Sequence, residues 1–362
     1  MRFRFQLAGS EHEAGLRRIL AEEAMPGAIR LAYTREPDFF AGLALEGPFT
    51  QAFVALEQGE PVAMGTRAVR TLLVNGAPEA VGYLGGLRAR PRVRGHLGLS
   101  RGYAILKQEH QDGRCQGYLS TILEDNEAAR SLLTAGRSGL PTYRDLGGLW
   151  SHLLLVKRSQ QPVPGVRRAE AEDLARVLTF LAEHGPERQF FPALAAEDFG
   201  QPWLHGLRVE DFWLLERGGT LRALLAVWDQ RSRRQFRVQG YAPWLRVLRP
   251  GINPILRLGG LAPLPAPGRA IALAQAAFLR VAGDAPGDLQ ALLRGTLASL
   301  AGGDLMGLAI VLHERDPLRP AVKGFLNLAI RSRLYGVGWE DASPWFQALD
   351  PSRVPYLDAT LL

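Results

Sequence analysis

The sequence predicts an α/β fold built twice, each half a mixed, mostly antiparallel twisted sheet flanked by helices. Three observations carry this reading. The chain has 362 residues, more than one core ordinarily organises. A polar and then Pro-rich stretch, "RSQQPVPG" from Arg158 to Gly165, separates two folded-looking halves. The same order of strand, helix, hairpin strands, loop–helix and strand is read on both sides of it, with little residue identity, as a duplicated fold would leave. The expected division is residues 1–157, a linker at 158–165, and residues 166–362.

The first half opens on a short apolar strand, "FRFQL", and a helix with Ser10 as N-cap and Leu16, Ile19 and Leu20 as its apolar stripe. Three strands follow, separated by turns at Gly59 and at "NGAPE". A helix is expected from about Leu97 to Glu109, then the strand "CQGYLSTIL" and a helix starting near Asn126. "PTYRDLGGLWSHLLLV" reads as a terminal strand pair. In the second half "VRRAEAEDLARVLTFLAEHG" reads as strand then helix, and "DFWLLERGGTLRALLAVWD" as a hairpin about Gly218 and Gly219. "RAIALAQAAFLRV" and "DLMGLAIVLHER" are strands around the loop–helix "AGDAPGDLQALLRGTLASLAG". "PLRPAVKGFLNLAIRSRLY" is read as a helix and "VPYLDATLL" as a closing strand. The hydrophobic insert 241–268 is too long for an ordinary connection and reads as a lid or as a packing piece against the first half or a second subunit.

Composition narrows the class. Hydrophobic residues make up 47% and charged residues 22%, ordinary for a globular protein, and no apolar run is long enough to span a bilayer. The N-terminal stretch lacks the apolar core of a signal peptide, and the one cysteine, Cys115, reads as a small buried strand residue. A cytoplasmic location is the expectation. The net charge of +7 invites a nucleic-acid partner, but only Lys107, Lys157 and Lys323 are lysines. The densest cluster, "DQRSRRQFR", carries one aromatic and reads as a solvated loop. No spacing joins the seven histidines into a metal site.

The chemistry concentrates at "RPRVRGHLGLSRG", Arg90 to Gly102. A strand ending in Arg-Gly and followed by a helix presents backbone N–H groups and a dipole to an anion. Glycine matters there because a Cβ would keep a pyrophosphate off the backbone. "LEDNEAARSLL" follows the next strand, with Asn126 as N-cap and Ala129, Leu132 and Leu133 on one face.

With Arg92, Arg94, Gly95 and Gly98 at the first segment and Asn126, Ala129 and Leu132 at the second, residues 1 to 157 resemble the GNAT superfamily of acyl-CoA-dependent N-acyltransferases. Over 166 to 362 the resemblance rests on element order and on "VRRAEAEDLARV". It implies two GNAT-like domains, the second degenerate, and acyl-CoA, acetyl-CoA first among them, as cosubstrate without a metal. The acceptor would be a small-molecule or peptide amine attacking the thioester directly. Arg92, Arg94, Gly95, His96, Leu97 and Gly98 would hold pyrophosphate, Leu87, Arg88 and Ala89 would pair with the pantetheine arm as a strand does, and Asn126 would line the same side. The sequence departs from the pattern at Leu97, where the second glycine is expected, and at Leu133, where the family often has a tyrosine acid. Tyr83 and Glu124 are the candidate substitutes for acid and base, each with a plainer reading as packed aromatic and solvated strand end. In the second half Asp284 and Asp288 stand where arginines are expected and would repel a pyrophosphate. His313 and Glu314, strand neighbours, are expected to face opposite sides. The rival reading is a catalytically inactive GNAT-like binding or scaffold protein. Homo-oligomerisation stays open.

Overall fold

The computed structural model describes residues 3–25, 27–94, 98–159 and 161–361. The first half runs β1 (Arg4–Leu7), α1 (Glu13–Glu22), β2 (Ala24–Met25), β3 (Ile29–Thr34), α2 (Phe39–Leu43), β4 (Phe49–Glu57), β5 (Glu60–Val74) and β6 (Ala77–Ala89). It continues through α3 (Leu99–His110), β7 (Tyr118–Leu123), α4 (Glu127–Leu133) and β8 (Thr142–Leu155). The second half runs β9 (Val166–Arg168), α5 (Leu174–His184), β10 (Arg188–Gln189), β11 (Phe191–Pro192), β12 (Phe212–Arg217), β13 (Thr220–Trp228), β14 (Gln235–Tyr241) and α6 (Pro243–Leu258). It closes with β15 (Leu273–Val281), α7 (Pro286–Leu300), β16 (Gly307–His313), β17 (Asn327–Gly338), α8 (Ser343–Ala348) and β18 (Val354–Pro355).

Most strands lie in one sheet of 13, in the order β1-β4-β5-β6-β7-β17-β8-β16-β15-β13-β12-β9, with β11 beside β5. Read from both ends, that order is the same pattern twice. The two halves meet by exchanging their last long strands: β17 lies against β7, β8 lies against β16, and β17 and β8 pair antiparallel with each other from Asn327↔Leu154 to Gly338↔Thr142. Each half-sheet thus has its edge covered by the other half, which removes two exposed edges. β14 adds to β3, and β11 adds to β5 where β4 has ended, so further short ladders tie the halves.

The hairpin turns follow from their sequence. Gln58-Gly59 and Asn75-Gly76 all take positive φ, the two-residue turn whose twist matches the flanking strands. Asn126 accepts the Ala129 N–H at 3.1 Å and caps α4. α3 packs Tyr103 and Leu106 against Val69, Leu84, Tyr118 and Ile122 on one face of the first half-sheet. α1 and α2 cover Val54, Leu56 and Met64 on the opposite face. α7 buries Leu289, Leu292, Leu293 and Leu297 against β13, β15 and β16. Burying four leucines contributes about 6–12 kcal/mol before ordering entropy is counted.

Several sequence readings are corrected. Residues Pro317–Tyr335 are not a helix: a 3-10 turn at Arg319–Val322 leads into β17. Leu326, Ile330 and Leu334 fit a helical stripe as well as alternation, and the long ladders to β7 and β8 decide for the strand. The expected strand pair at 141–156 is one strand, β8, bent at Gly147 with φ +108°. The closing segment pairs only through Val354–Pro355 and then forms a 3-10 turn at Ala359–Leu361, buried among Leu72, Val81 and Phe190. Ser10 starts a 3-10 turn rather than capping α1; its preceding residue, Gly9, donates its N–H to His12 Nδ1 at 3.1 Å. Much of 241–268 is helix, α6, despite Pro250 and Pro254. Arg234 and Gln235, read as part of a solvated loop, are buried. Cys115 is buried but lies in a loop, not a strand, and burial pushes its thiol pKa up.

Candidate functional site: the parting of two parallel strands

β6 and β7 run parallel and pair over only three residues, Gly82 with Tyr118, Tyr83 with Leu119 and Leu84 with Ser120. Beyond that point β6 continues to Ala89 and β7 to Leu123 without pairing to each other. The cause is local. The β5–β6 register slips between Met64 and Thr66, and Gly86 takes φ +61°, a conformation glycine adopts at little cost. Ser120 donates its hydroxyl to the Leu84 carbonyl at 2.9 Å, where the pairing ends. Among the described residues, no backbone group of β7 pairs with Leu87, Arg88 or Ala89, so the side of β6 that faces β7 is here an edge without a strand partner. Leu87 is 42% exposed. The Arg88 guanidinium donates to the Leu87 carbonyl at 3.1 Å, and burial lowers its pKa.

The face of the sheet at this fork is polar. Tyr83 stands beside Ala68 of β5 and Leu119 of β7, so it shares a face with Thr66 and Thr121. Its hydroxyl lies 3.0 Å from Thr121 Oγ1. Burial pushes the Tyr83 phenol well above its ordinary range, and the bond to Thr121 offsets only part of that. Tyr83 is therefore a neutral hydrogen-bond donor and not a base. Thr66 donates to Glu46 Oε2 at 3.4 Å, and a Cβ on Gly86 would stand 3.1 Å from Thr66 Oγ1. Glu46 in turn pairs with Arg35 and, at 3.3 Å, with Arg234. Arg234 also donates to the carbonyls of Gly42 at 2.9 Å and Thr360 at 2.6 Å. Glu46, Arg35, Arg234 and Thr66 are all buried and were not singled out from the sequence. Nothing in "ALEGPF" or "SRRQF" marks them, because they meet only through tertiary packing.

The segment expected to hold an anion is less simple. Gly98, with a left-handed φ of +59°, precedes α3, and among the described residues no side chain caps the first turn of that helix. Gly95, His96 and Leu97 lie outside the described residues. Arg92 pairs with Glu57, Arg94 with Glu23, and Arg90 with Glu22 at 2.9 Å. Arg94 also donates to the Ala89 carbonyl at 3.0 Å. Asn126 spends its side-chain oxygen on the α4 cap. The Glu124 carboxylate lies 3.6 Å from Arg331 of β17, the neighbour of β7 on the side away from β6. The structure thus brings Tyr83, Thr121 and the unpaired β6 edge together, and directs Glu124 elsewhere.

The second half has the same fork, differently filled. β15 and β16 pair parallel over Leu273↔Gly307 to Gln275↔Ala309 and then part, at a bulge where Phe278 has φ +53°. Here the freed N–H groups are claimed: Phe278 donates to Asp358 Oδ2 at 3.0 Å and Leu279 to the Tyr356 hydroxyl at 3.1 Å. Asp284 accepts from Arg188 at 2.8 and 2.6 Å and from Arg280 at 2.9 Å. Asp288 accepts from Arg217 at 2.7 Å and Arg222 at 3.2 Å. The two carboxylates are thus salt-bridged within the protein. His313 points inward, its Nε2 2.9 Å from the Leu146 carbonyl while its Nδ1 accepts the Arg315 N–H, and burial lowers its pKa. Glu314 is exposed. Among the described residues, no group of three or more His, Cys, Asp or Glu side chains could hold a metal ion.

No family model matches the chain, and no curated protein does. Likeness is found in three dimensions. A crystal structure of Saccharomyces cerevisiae N-myristoyltransferase with bound myristoyl-CoA aligns with a TM-score of 0.61 at 12% identity, covering 98% of this chain and 84% of that one. A second structure of that enzyme with myristoyl-CoA gives 0.58 at 11% identity, covering 92% and 82%. A GCN5-related N-acetyltransferase from Kribbella flavida aligns at 0.47 and 15% identity, covering 92% and 71%. The chain has the mixed α/β fold that Saccharomyces cerevisiae N-myristoyltransferase takes.

Proposed function

We propose that the protein is an N-acyltransferase that moves an acyl group from acyl-CoA to a primary amine of a small molecule or peptide in a ternary complex. The observation that carries this is the unpaired β6 edge at Leu87–Ala89, beside a buried tyrosine and at the foot of an uncapped helix. An amide-bearing pantetheine arm can complete such an edge as another strand would. Its pyrophosphate would meet the first turn of α3 beyond Gly98, with Arg92 and Arg94 at the rim. The amine lone pair attacks the thioester carbonyl carbon, the C–S bond breaks, the nitrogen gives up one proton as the amide forms, and the departing CoA thiolate gains one to leave as the thiol. Tyr83, held neutral, donates a hydrogen bond to the developing charge, and Thr121 fixes its direction. Glu46, held by Arg35, Arg234 and Thr66, sets the wall against Gly86. Acetyl is the first acyl group to test, and longer chains follow from the likeness to an enzyme crystallised with myristoyl-CoA. In the same reading, residues 1–157 form the acyl-CoA domain, 158–165 the linker, and 166–362 a domain that does not take the cosubstrate.

A second reading, a catalytically inactive scaffold, draws on one observation: Arg90, Arg92 and Arg94 already have the carboxylates Glu22, Glu57 and Glu23 as partners. An incoming pyrophosphate would have to displace them. Thiol release from acetyl-CoA and myristoyl-CoA, with and without a panel of amines, decides between the two. Amine-dependent release supports the transferase; its absence across the panel, with no acyl-CoA binding, leaves the scaffold.

A further inference from the structure

α6 carries an apolar face that the protein does not cover. Leu245 and Ile252 point inward, onto Val238, Tyr241, Ile271 and Leu273. Trp244, Val247, Leu248, Ile255 and Leu258 point outward, Val247 at 74% and Leu258 at 90% exposure. Their spacing places them along one side of a helix of 16 residues, about 24 Å long. The patch extends beyond the helix. Leu153, packed in the cluster under α6, has Leu328 of β17 as its cross-strand neighbour. Leu328 therefore lies on the same face of the sheet, and Leu326 and Ile330 alternate onto it. All three are more than half exposed. An uncovered apolar surface of this extent marks an interaction site.

Charge and backbone chemistry identify the partner. Within 241–268 the sequence holds Arg246, Arg249 and Arg257 and no acidic residue. Arg246 and Arg257 stand exposed on the polar side of the helix, turned away from the apolar stripe, as the arginines of a helix lying in a membrane surface do. Pro250 and Pro254 lack N–H groups, so the helix offers no partner to the carbonyls of Arg246 and Pro250. These carbonyls lie on the arginine side of the helix, where a hydrated headgroup layer satisfies them while the apolar side chains enter below. We propose that α6, with the Leu326–Ile330 strand edge, docks in the plane of an anionic phospholipid surface, the arginines meeting the headgroups. This is a peripheral contact: no helix among the described residues is long and apolar enough to cross a membrane.

The test is flotation of the full chain with phosphatidylcholine vesicles that do or do not contain phosphatidylglycerol. The expected result is binding that requires phosphatidylglycerol and weakens with salt. The double variant Val247→Glu/Ile255→Glu, both at exposed positions, should bind about thirtyfold more weakly with an unchanged thermal midpoint. Leu328→Glu, on the strand, should weaken binding in the same sense. Absence of vesicle binding by the wild type overturns the proposal, as does binding that the double variant retains. Light scattering that shows a dimer broken by the double variant also overturns it, because a second copy would then be the cover.

Discussion

The two forks of the sheet share one geometry and differ in what meets their freed backbone. At β6/β7 the bulge is made by Gly86, and the edge beyond it has no partner from β7. At β15/β16 the bulge is made by Phe278, whose ring is packed in the core, and the edge is bonded by Asp358 and Tyr356. The helix that follows differs in the same sense. α3 opens on a left-handed glycine with arginines at the rim, whereas α7 opens on Asp284 and Asp288, each held by two arginines. A duplicated fold can therefore keep its shape in both copies while one fork is closed by internal carboxylates. On the proposed function, the fork whose edge has no strand partner, with the Leu87 and Ala89 carbonyls held only by the Arg88 and Arg94 side chains, is the one that takes the ligand.

The largest effect should come from filling the first bulge. Gly86→Val forces a side chain into left-handed backbone and toward Thr66, and acyl-CoA affinity should fall about a hundredfold, measured by calorimetry. Opening the second fork should act on stability instead. Asp358→Ala leaves the Phe278 N–H unpaired and removes two bonds within residues 358–360, and should lower unfolding stability by about 3 kcal/mol in urea titrations while acyl-CoA binding persists.

The ion pairs of the second fork give a pH signature. Burial pushes Asp284 up, but the bonds and charges of Arg188 and Arg280 outweigh it, so its folded pKa lies below the ordinary value. Its contribution is present above the unfolded carboxylate pKa of about 3.9 and is lost as pH falls through the folded value. Asp284→Ala should cost about 2 kcal/mol at neutral pH and flatten the loss of stability below about pH 4. Smaller still, Tyr83→Phe should reduce turnover about tenfold with little change in acyl-CoA affinity, since it removes one donor and keeps the ring. Glu124→Gln should change turnover by less than about threefold, because its partner is an exposed arginine on β17.

What could be read from the sequence was local. The hairpins were legible because Gly59 and the Asn75-Gly76 pair specify the turns, and α4 because Asn126 supplies the cap. β17 was not, because its apolar residues satisfy two periodicities and only pairing with strands far away in sequence chooses between them. α6 was hidden by Pro250 and Pro254, although its outward stripe at 244, 247, 248, 255 and 258 has helical spacing. At the site, Tyr83 could be found by its place on a central strand, and Leu87–Ala89 through the resemblance to the acyltransferase pattern. Glu46 could not, since Arg35, Thr66 and Arg234 converge on it from three separate segments.

The most direct test is calorimetry of acyl-CoA binding to the wild type, Gly86→Val and Asp284→Ala. If the first fork alone takes the cosubstrate, the wild type binds one equivalent, Gly86→Val loses it, and Asp284→Ala binds as the wild type does once corrected for folded fraction. Undiminished binding by Gly86→Val, or none by the wild type, would contradict the account.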